Sequence, residues 1–322
     1  MPKRIAKRAL NAILLALGVA TIAFVVIHVL PGDPASALIS PRLSSSTIEQ
    51  LRTQYGLDQP LHVQYGLWLW SLLHGDFGFS FSQQREVLDI LAAALPYTII
   101  LALTAILIEL ALGTLLALLA VRTQNRFIDK LVTVGGLVTY TLPTFWIAIL
   151  LISIFSYWIG ILPPAQVHSV GADRLSSIGY AIDFLEHLVL PALAIALPGA
   201  AGIARFLRAN LLKVYQQEYV LAAYSMGMSE SRIFFSYALP NALLPVITIL
   251  GLELGALISG ALVVETVFAW PGMGRLTVIA IFARDYPLVL ACTMVSGLGV
   301  IGGNLLADVA ASILDPRLRK EV

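Results

Sequence analysis

Charge is scarce in this sequence. Asp, Glu, Lys and Arg make up only 12% of its 322 residues, against 58% hydrophobic, where a soluble domain carries about 25% charged residues. So little charge cannot cover a water-soluble particle of this size, and the chain is read as a membrane protein. A net charge of +1 leaves no electrostatic footprint for nucleic acid. Cysteine is nearly absent. Cys292 stands alone inside an apolar run, which excludes an intrachain disulfide and gives no reading of the redox compartment. The short motifs of nucleotide and hydrolase chemistry are missing too. No GxxxxGK[ST] occurs and no Gly is followed by Lys, so the chain has no P-loop in which to cradle phosphates. HExxH and GxSxG are absent as well. The five histidines, His28, His62, His74, His168 and His187, show no metal-ligand spacing. No catalytic residue, metal or bound cofactor is expected, and energy for any work must come from a separate ATPase or an ion gradient.

Long apolar runs are what is present. Residues 9–30 carry no charge and follow the basic residues Lys3, Arg4, Lys7 and Arg8. A signal peptide, favoured by Ala35-Ser36-Ala37, would have an apolar core of about 7–15 residues, whereas a bilayer span needs about 20. The run is read as a retained first helix. Five further spans are expected at 96–121, 131–159, 188–204, 241–264 and 288–313, which divides the chain into 1–30, a cap at 31–95, and a five-helix core at 96–322. Pro143 interrupts the third span, and Pro191 and Pro198 fall in the fourth. Prolines at membrane depth free backbone groups that only neighbours or a cavity can satisfy. They point to helices packed around, or lining, something, although a packing kink is the first reading of each alone. With six spans, the loops on the side of the N-terminus hold 14 Lys and Arg and the opposite loops hold 6. The positive-inside rule then places both termini in the cytoplasm and the cap outside.

The cap has folding signals of its own. Ser46 and Glu49 form a capping-box start, Gly56 a stop, and Asp58-Gln59-Pro60 a turn into a second amphipathic stretch with Tyr65, Trp68, Trp70 and Leu73. Trp68 and Trp70 read as packing or interfacial-belt residues ahead of a ligand box. On the other side of the membrane, residues 218–245 lie between apolar segments yet carry Glu218, Ser229, Glu230, Ser231 and Arg232. Helix formers at 217–226, a stop at Gly227, and a second run capped by Ser229 and ended by Pro240 describe a helical hairpin in water. By itself it is either a solvated connector or a part meant to be gripped.

The wording of that hairpin resembles a known part. Ala222-Ala223, with Gly227 four residues after the second Ala and then Leu239-Pro240-Asn241, is similar to the cytoplasmic coupling loop of binding-protein-dependent ABC importer permeases. Leu221 stands where an acidic residue is usual, a departure seen in the peptide branch. LPGDP at 30–34, YGLDQPLHVQYGLWL at 55–69, GDFGFS at 75–80, ETVF at 265–268, WPGMGR at 270–275, RDYP at 284–287 and DPR at 315–317 resemble the peptide, opine and nickel branch in the same order. The resemblance implies an all-α type I importer permease of six transmembrane helices in the cell inner membrane. Its partners would be a homologous second permease in a heterodimer, two ATPase subunits holding ATP and magnesium, an extracytoplasmic solute-binding protein, and membrane lipid. It assigns ATPase coupling, within a loop at 210–240, to Glu218, Tyr219, Ala222, Ala223, Gly227, Met228, Ser229, Arg232, Leu239 and Pro240. For the translocation pathway the expectation is Pro143 and Glu253 from the span pattern, with Glu265, Arg284 and Asp285 from the resemblance; Arg284 and Asp285 are also expected to pair locally. Dipeptide, oligopeptide, glutathione, opine and nickel permeases look alike at this level, so the solute stays open, and the cap fits import without proving direction.

Two other classes compete. Glu109, Glu253 and Asp308 lie inside spans, and intramembrane carboxylates are functional candidates by default, which would suit a proton-coupled secondary transporter. Asp308, however, is near a span end where it can reach water, Arg317 or Arg319. Glu253 is read as facing Gly251, Gly255 and Gly260, as at a packing interface or pathway wall, and Glu109, with no nameable partner, is read with Asp308 as pairing with a second subunit. No internal inverted repeat of the carrier type is visible. A non-transporting scaffold would tolerate loss of Gly227 and Pro240; a coupled transporter would not.

Overall fold

The computed structural model describes residues 2–29, 58–80, 82–122, 134–136, 138–139, 141–258 and 260–314. The 30–34 motif, the Ser46 and Glu49 helix start, Gly56, Arg126, Lys130, the tail motif with Arg319, and the side chain of Asp308 lie outside the described residues.

The first apolar run forms helix α1, Pro2–Val29. Pro60, extended at φ −56° and ψ 144°, opens α2, Leu61–Leu73. One side of α2 leans on α1: Phe24 meets the rings of Tyr65 and Trp68 at 5.2 and 5.7 Å, and Thr21 and Tyr65 share a 2.6 Å hydroxyl hydrogen bond. Trp68 is thus a packing residue, while Trp70 and Leu73 stay exposed. A two-residue antiparallel ribbon, β1 Phe79–Ser80 with β2 Arg85–Glu86, follows. It leads directly into α3, Val87–Arg122, which begins well before the expected span start and takes Pro96 into its interior.

Pro143 does interrupt the third apolar segment. It precedes α4, Thr144–Leu151, which widens into a π-turn at Ile152–Trp158. The long helix α5, Ser177–Tyr215, is capped by the Ser176 hydroxyl, which accepts from the Gly179 N–H. At 39 residues it is about 58 Å long, far more than a hydrocarbon core of about 30 Å. The stretch expected as the span, 188–204, is its apolar middle. The hairpin comprises α6, Glu218–Ser225, and α7, Glu230–Ile233. A π-turn at Phe234–Ala238 joins α7 to α8, Leu239–Ile258. Then come α9, Leu262–Val267, α10, Met273–Phe282, and α11, Tyr286–Leu314.

The expected stop at Pro240 is therefore corrected, because Glu230–Ile258 is one continuous apolar helix. Proline in the interior of a regular helix clashes with the carbonyl one turn before it. The wide turn before it provides local slack, as π-turns do. Ser229 also departs from its expected role: it occupies the residue before α7, but its side chain makes no capping bond.

Val87–Val121, Ser177–Tyr215, Glu230–Ile258 and Tyr286–Ala307 are long and apolar enough to cross a membrane by length and composition, and Asn11–Val25 and Thr144–Trp158 are shorter apolar helices. The long ones pack through small residues, as membrane helices do. A Cβ at Gly113 of α3 would lie 2.7 Å from Ile203 of α5, and one at Gly251 of α8 would lie 2.7 Å from the Cα of Ala307 on α11. Gly255 faces α11 at Gly303 in the same way. Glu253, two residues from each glycine, is about 200° round the helix from them and points elsewhere, so the expectation that it faces the glycines does not hold.

Candidate functional site

The hairpin exposes what most surfaces hide. Val220 and Ala223 of α6 and Ile233 of α7 are buried against Val214, Tyr215, Met228 and Tyr237, which fixes the hairpin to the end of α5. The rest of α6 is exposed: Leu221 and Ala222, with Glu218, stand opposite the buried face; Tyr219 and Tyr224 flank that face on its two edges; and Met226 follows at the helix end, Tyr224 and Met226 being 43% and 67% exposed. The chain turns here through a Schellman closure: Gly227 N–H donates to the Tyr224 carbonyl at 3.0 Å and Met228 N–H to the Ala223 carbonyl at 3.2 Å. That closure needs a left-handed residue, and Gly227 supplies it at φ +74°. Arg232 and Pro240 are exposed and Leu239 is half-buried. Several exposed apolar side chains on one short helix make the hairpin a candidate docking surface.

A cavity of about 650 Å³ opens between α3, α4, α5, α8 and α9. Thr144, the residue after Pro143, is part of its lining, as are Pro198, Gly199 and Gly202 of α5, Phe206, Ile249 and Glu253. Glu109 has no partner that could be named from the chain alone. It lies in this same cavity, 1% exposed, which Glu253 also lines. Its Oε2 is buried with no hydrogen-bond partner. Gly199 makes the room: any side chain there would run into the Glu109 carboxyl group. The two helices that lead into the hairpin, α5 and α7–α8, also form two walls of the cavity.

The other expected pathway residues are placed differently. Glu265 is fully buried; it accepts from the Thr98 hydroxyl at 2.9 Å and from the Arg275 N–H at 3.0 Å, while Thr98 Oγ1 accepts from the Met273 N–H at 2.7 Å. Asp285 is also fully buried. It accepts from the Ser80 and Ser82 hydroxyls, both at 2.6 Å, and from the Ser82 N–H at 3.0 Å. The expected Arg284–Asp285 pair is replaced by this seal, which ties the ribbon within the 31–95 segment to the α10–α11 corner; Arg284 is exposed at φ +55°. Neither carboxylate is among the residues lining the cavity.

Sequence reasoning missed a cluster at the start of α5. Asp183 accepts from the Ser169 N–H at 3.0 Å and meets His168 Nδ1 at 2.8 Å, and the His187 ring bonds the Asp183 carbonyl at 2.7 Å. Hydrogen bonds from Ser169, with smaller contributions from His168 and the charge of His187, outweigh burial and lower its pKa to about 2. The i,i+4 spacing of Asp183 and His187 was visible; the return of His168 was not.

Comparison with known proteins decides what these parts belong to. Residues 109–320 match the family described as the binding-protein-dependent transport system inner membrane component, and residues 1–102 match its N-terminal counterpart. The chain belongs to that family. It is similar to the oligopeptide transport system permease protein AppB of Bacillus subtilis, 36% identical over 319 residues covering 99% of both chains. It is also similar to the probable D,D-dipeptide transport system permease protein DdpB of Escherichia coli, 36% identical over 326 residues, 97% of this chain and 96% of that one. Among solved structures, the crystal structure of an amino acid ABC transporter with histidines shares the fold. Its TM-score is 0.50 at 18% identity, covering 71% of this chain and 94% of that one. The protein is thus a permease subunit of an ATP-driven importer and an inner membrane component. As a permease it is a transport component and no enzyme, working with ATPase and substrate-binding partners.

Proposed function

We propose that this permease carries peptides, that it crosses the membrane six times with both termini in the cytoplasm, and that it pairs with a homologous second permease in a lipid bilayer. The relatives' printed names, oligopeptide and D,D-dipeptide permeases, support the solute class, and the excess of Lys and Arg in the loops on the N-terminal side supports the orientation. The hairpin carries the coupling reading. Its patch of Tyr219, Leu221, Tyr224 and Met226 is the surface that one of two ATPase subunits, holding ATP and magnesium, would cover. Glu218, Ala222, Gly227, Met228, Ser229 and Arg232 shape it. Ala223 seats the hairpin on α5, and Leu239 and Pro240 carry its motion into α8.

The cavity between Thr144, Pro198, Gly202, Ile249 and Glu253 is read as part of the pathway, with Pro143 setting the bend at its edge. Glu265, Arg284 and Asp285 act on it from the outer corner by holding that corner in shape. Nucleotide binding would draw the hairpins of the two permeases together and tilt α5 and α8, moving the cavity walls. Coupling then consists of different ATPase and solute affinities in the two states.

The test is co-purification from membranes of the intact chain and of Gly227→Pro, with ATPase activity read in the presence of the binding protein and peptides. Recovery of ATPase subunits with peptide-stimulated hydrolysis by the intact chain, and loss of both by the variant, is the expected result. A chain that purifies alone and moves solute under a pH gradient would overturn the reading.

A further inference from the structure

The side chains of Glu109 and Glu253 come from different helices and line one cavity otherwise bounded mainly by apolar side chains. Packing alone has no need of this. Burying a carboxyl costs free energy unless its oxygens find partners, yet Glu109 Oε2 has none, and no ion pair to either carboxyl occurs among the described residues. Arg205 also lines the cavity, but six residues along α5 from Gly199 it is displaced by about 9 Å on the helix axis. The site is also held open. Gly199 leaves the space that the Glu109 carboxyl occupies, and a Cβ at Gly202, one turn further, would meet nothing within 4 Å. What the arrangement lacks is a hydrogen-bond donor that carries positive charge, fits beside two acidic groups and can leave again.

We propose that Glu109 and Glu253 form a transient docking point for the terminal ammonium group of the carried solute, placed where the walls of the cavity move. This rests on the pathway reading above and adds to it the chemistry recognised inside the membrane. An ammonium has three N–H donors and no acceptor, so it can bond the unpartnered Glu109 Oε2 and the Glu253 carboxyl together. A charge-assisted bond of this kind is stronger than a neutral one. Glu109 stands on α3 and Glu253 on α8, so the tilt of α8 away from α3 pulls the two carboxyls apart, and the bidentate contact is lost in the other state. The solute is thereby released instead of trapped.

The experiment uses the purified complex of this permease with its ATPase partners and needs no binding protein. A hydrophobic carbodiimide modifies the buried carboxyls, and the sites are located by mass spectrometry. Millimolar dialanine is expected to slow modification of Glu109 and Glu253 several-fold, and N-acetyl-dialanine, which has no ammonium, to leave it unchanged. Equal protection by both, or by neither, overturns the proposal. In parallel, Gly202→Cys is treated with a water-soluble thiol reagent; Cys292 is buried and gives little background. Labelling that changes with nucleotide state while dialanine gives no protection leaves the pathway reading standing and removes the ammonium site. A Gly202→Cys that never labels removes both. Glu109→Gln and Glu253→Gln, if they still co-purify with ATPase subunits, should lose uptake of free-amine solutes at least about tenfold. Unchanged uptake in both variants counts against the proposal.

Discussion

The α10–α11 corner and the α6–α7 hairpin handle polar and apolar groups in opposite ways. At the corner, Asp285 and Glu265 are fully buried, and serine and threonine hydroxyls and backbone N–H groups aim at them. Trp270 is enclosed beside them, its indole N–H bonded to the Tyr97 carbonyl at 3.0 Å. Charge is buried there and satisfied. In the hairpin, by contrast, Leu221, Tyr224 and Met226 stand in the open, and charges such as Glu218 and Arg232 are solvated. A region complete in itself is built to stay still; a region with uncovered apolar surface is built to be completed by another chain. The cavity falls between the two, with a buried acidic pair of which one oxygen is unpartnered.

The comparison is broken most directly at its rigid end. Asp285→Ala leaves the Ser80 and Ser82 donors without their acceptor, and each buried group left unpaired costs about 1–3 kcal/mol. A loss of about 3 kcal/mol is expected, seen as a lower Tm in detergent or poor accumulation in membranes. An unchanged Tm would mean that the corner is not sealed by this carboxylate.

Gly227→Pro comes next. Proline cannot reach φ +74°, so the Schellman closure opens at a cost of about 2 kcal/mol, confined to the hairpin. ATPase co-purification should fail while the Tm of the membrane helices holds. If both fall together, the hairpin is part of the core and the contrast drawn here is wrong.

Leu221→Ser sharpens the other side. Removing an exposed apolar side chain should change stability by less than about 0.5 kcal/mol but weaken ATPase binding about tenfold, equivalent to about 1.4 kcal/mol. A titration of ATPase subunit onto the detergent-solubilised permease measures it, and equal affinity would move the docking surface elsewhere.

The smallest effect concerns pH. Asp183 has its pKa lowered to about 2, below the unfolded value of about 3.9. Its contribution to stability is complete above the unfolded pKa and is lost as pH falls through the folded one. Melting followed between about pH 5 and 2 should slope downward, and Asp183→Asn should flatten part of that slope. An identical slope in the variant would show that other carboxylates carry it.

Much of this was legible in the chain itself. Low charge and long apolar runs gave the membrane class, and Pro143 gave the break before α4. Gly227 gave the turn of the hairpin, and the spaced motifs gave the family. These are local signals: composition, 3.6-residue periodicity, and residues that permit or forbid a backbone angle over a few positions. The helix through Pro240 escaped because a π-turn five residues long changes the proline's surroundings without leaving a pattern to read. Glu253 was expected on the glycine face of α8, although helix geometry puts it about 200° away, and that Gly251 and Gly255 take α11 for their neighbour left no local signal. Tertiary structure alone decided that Glu109 shares a cavity with Glu253, that Asp285 reaches back to Ser80, and that His168 returns to Asp183. Each joins positions separated by many residues. A side chain's identity fixes what it can bond, and only the packing of helices against one another fixes what it finds.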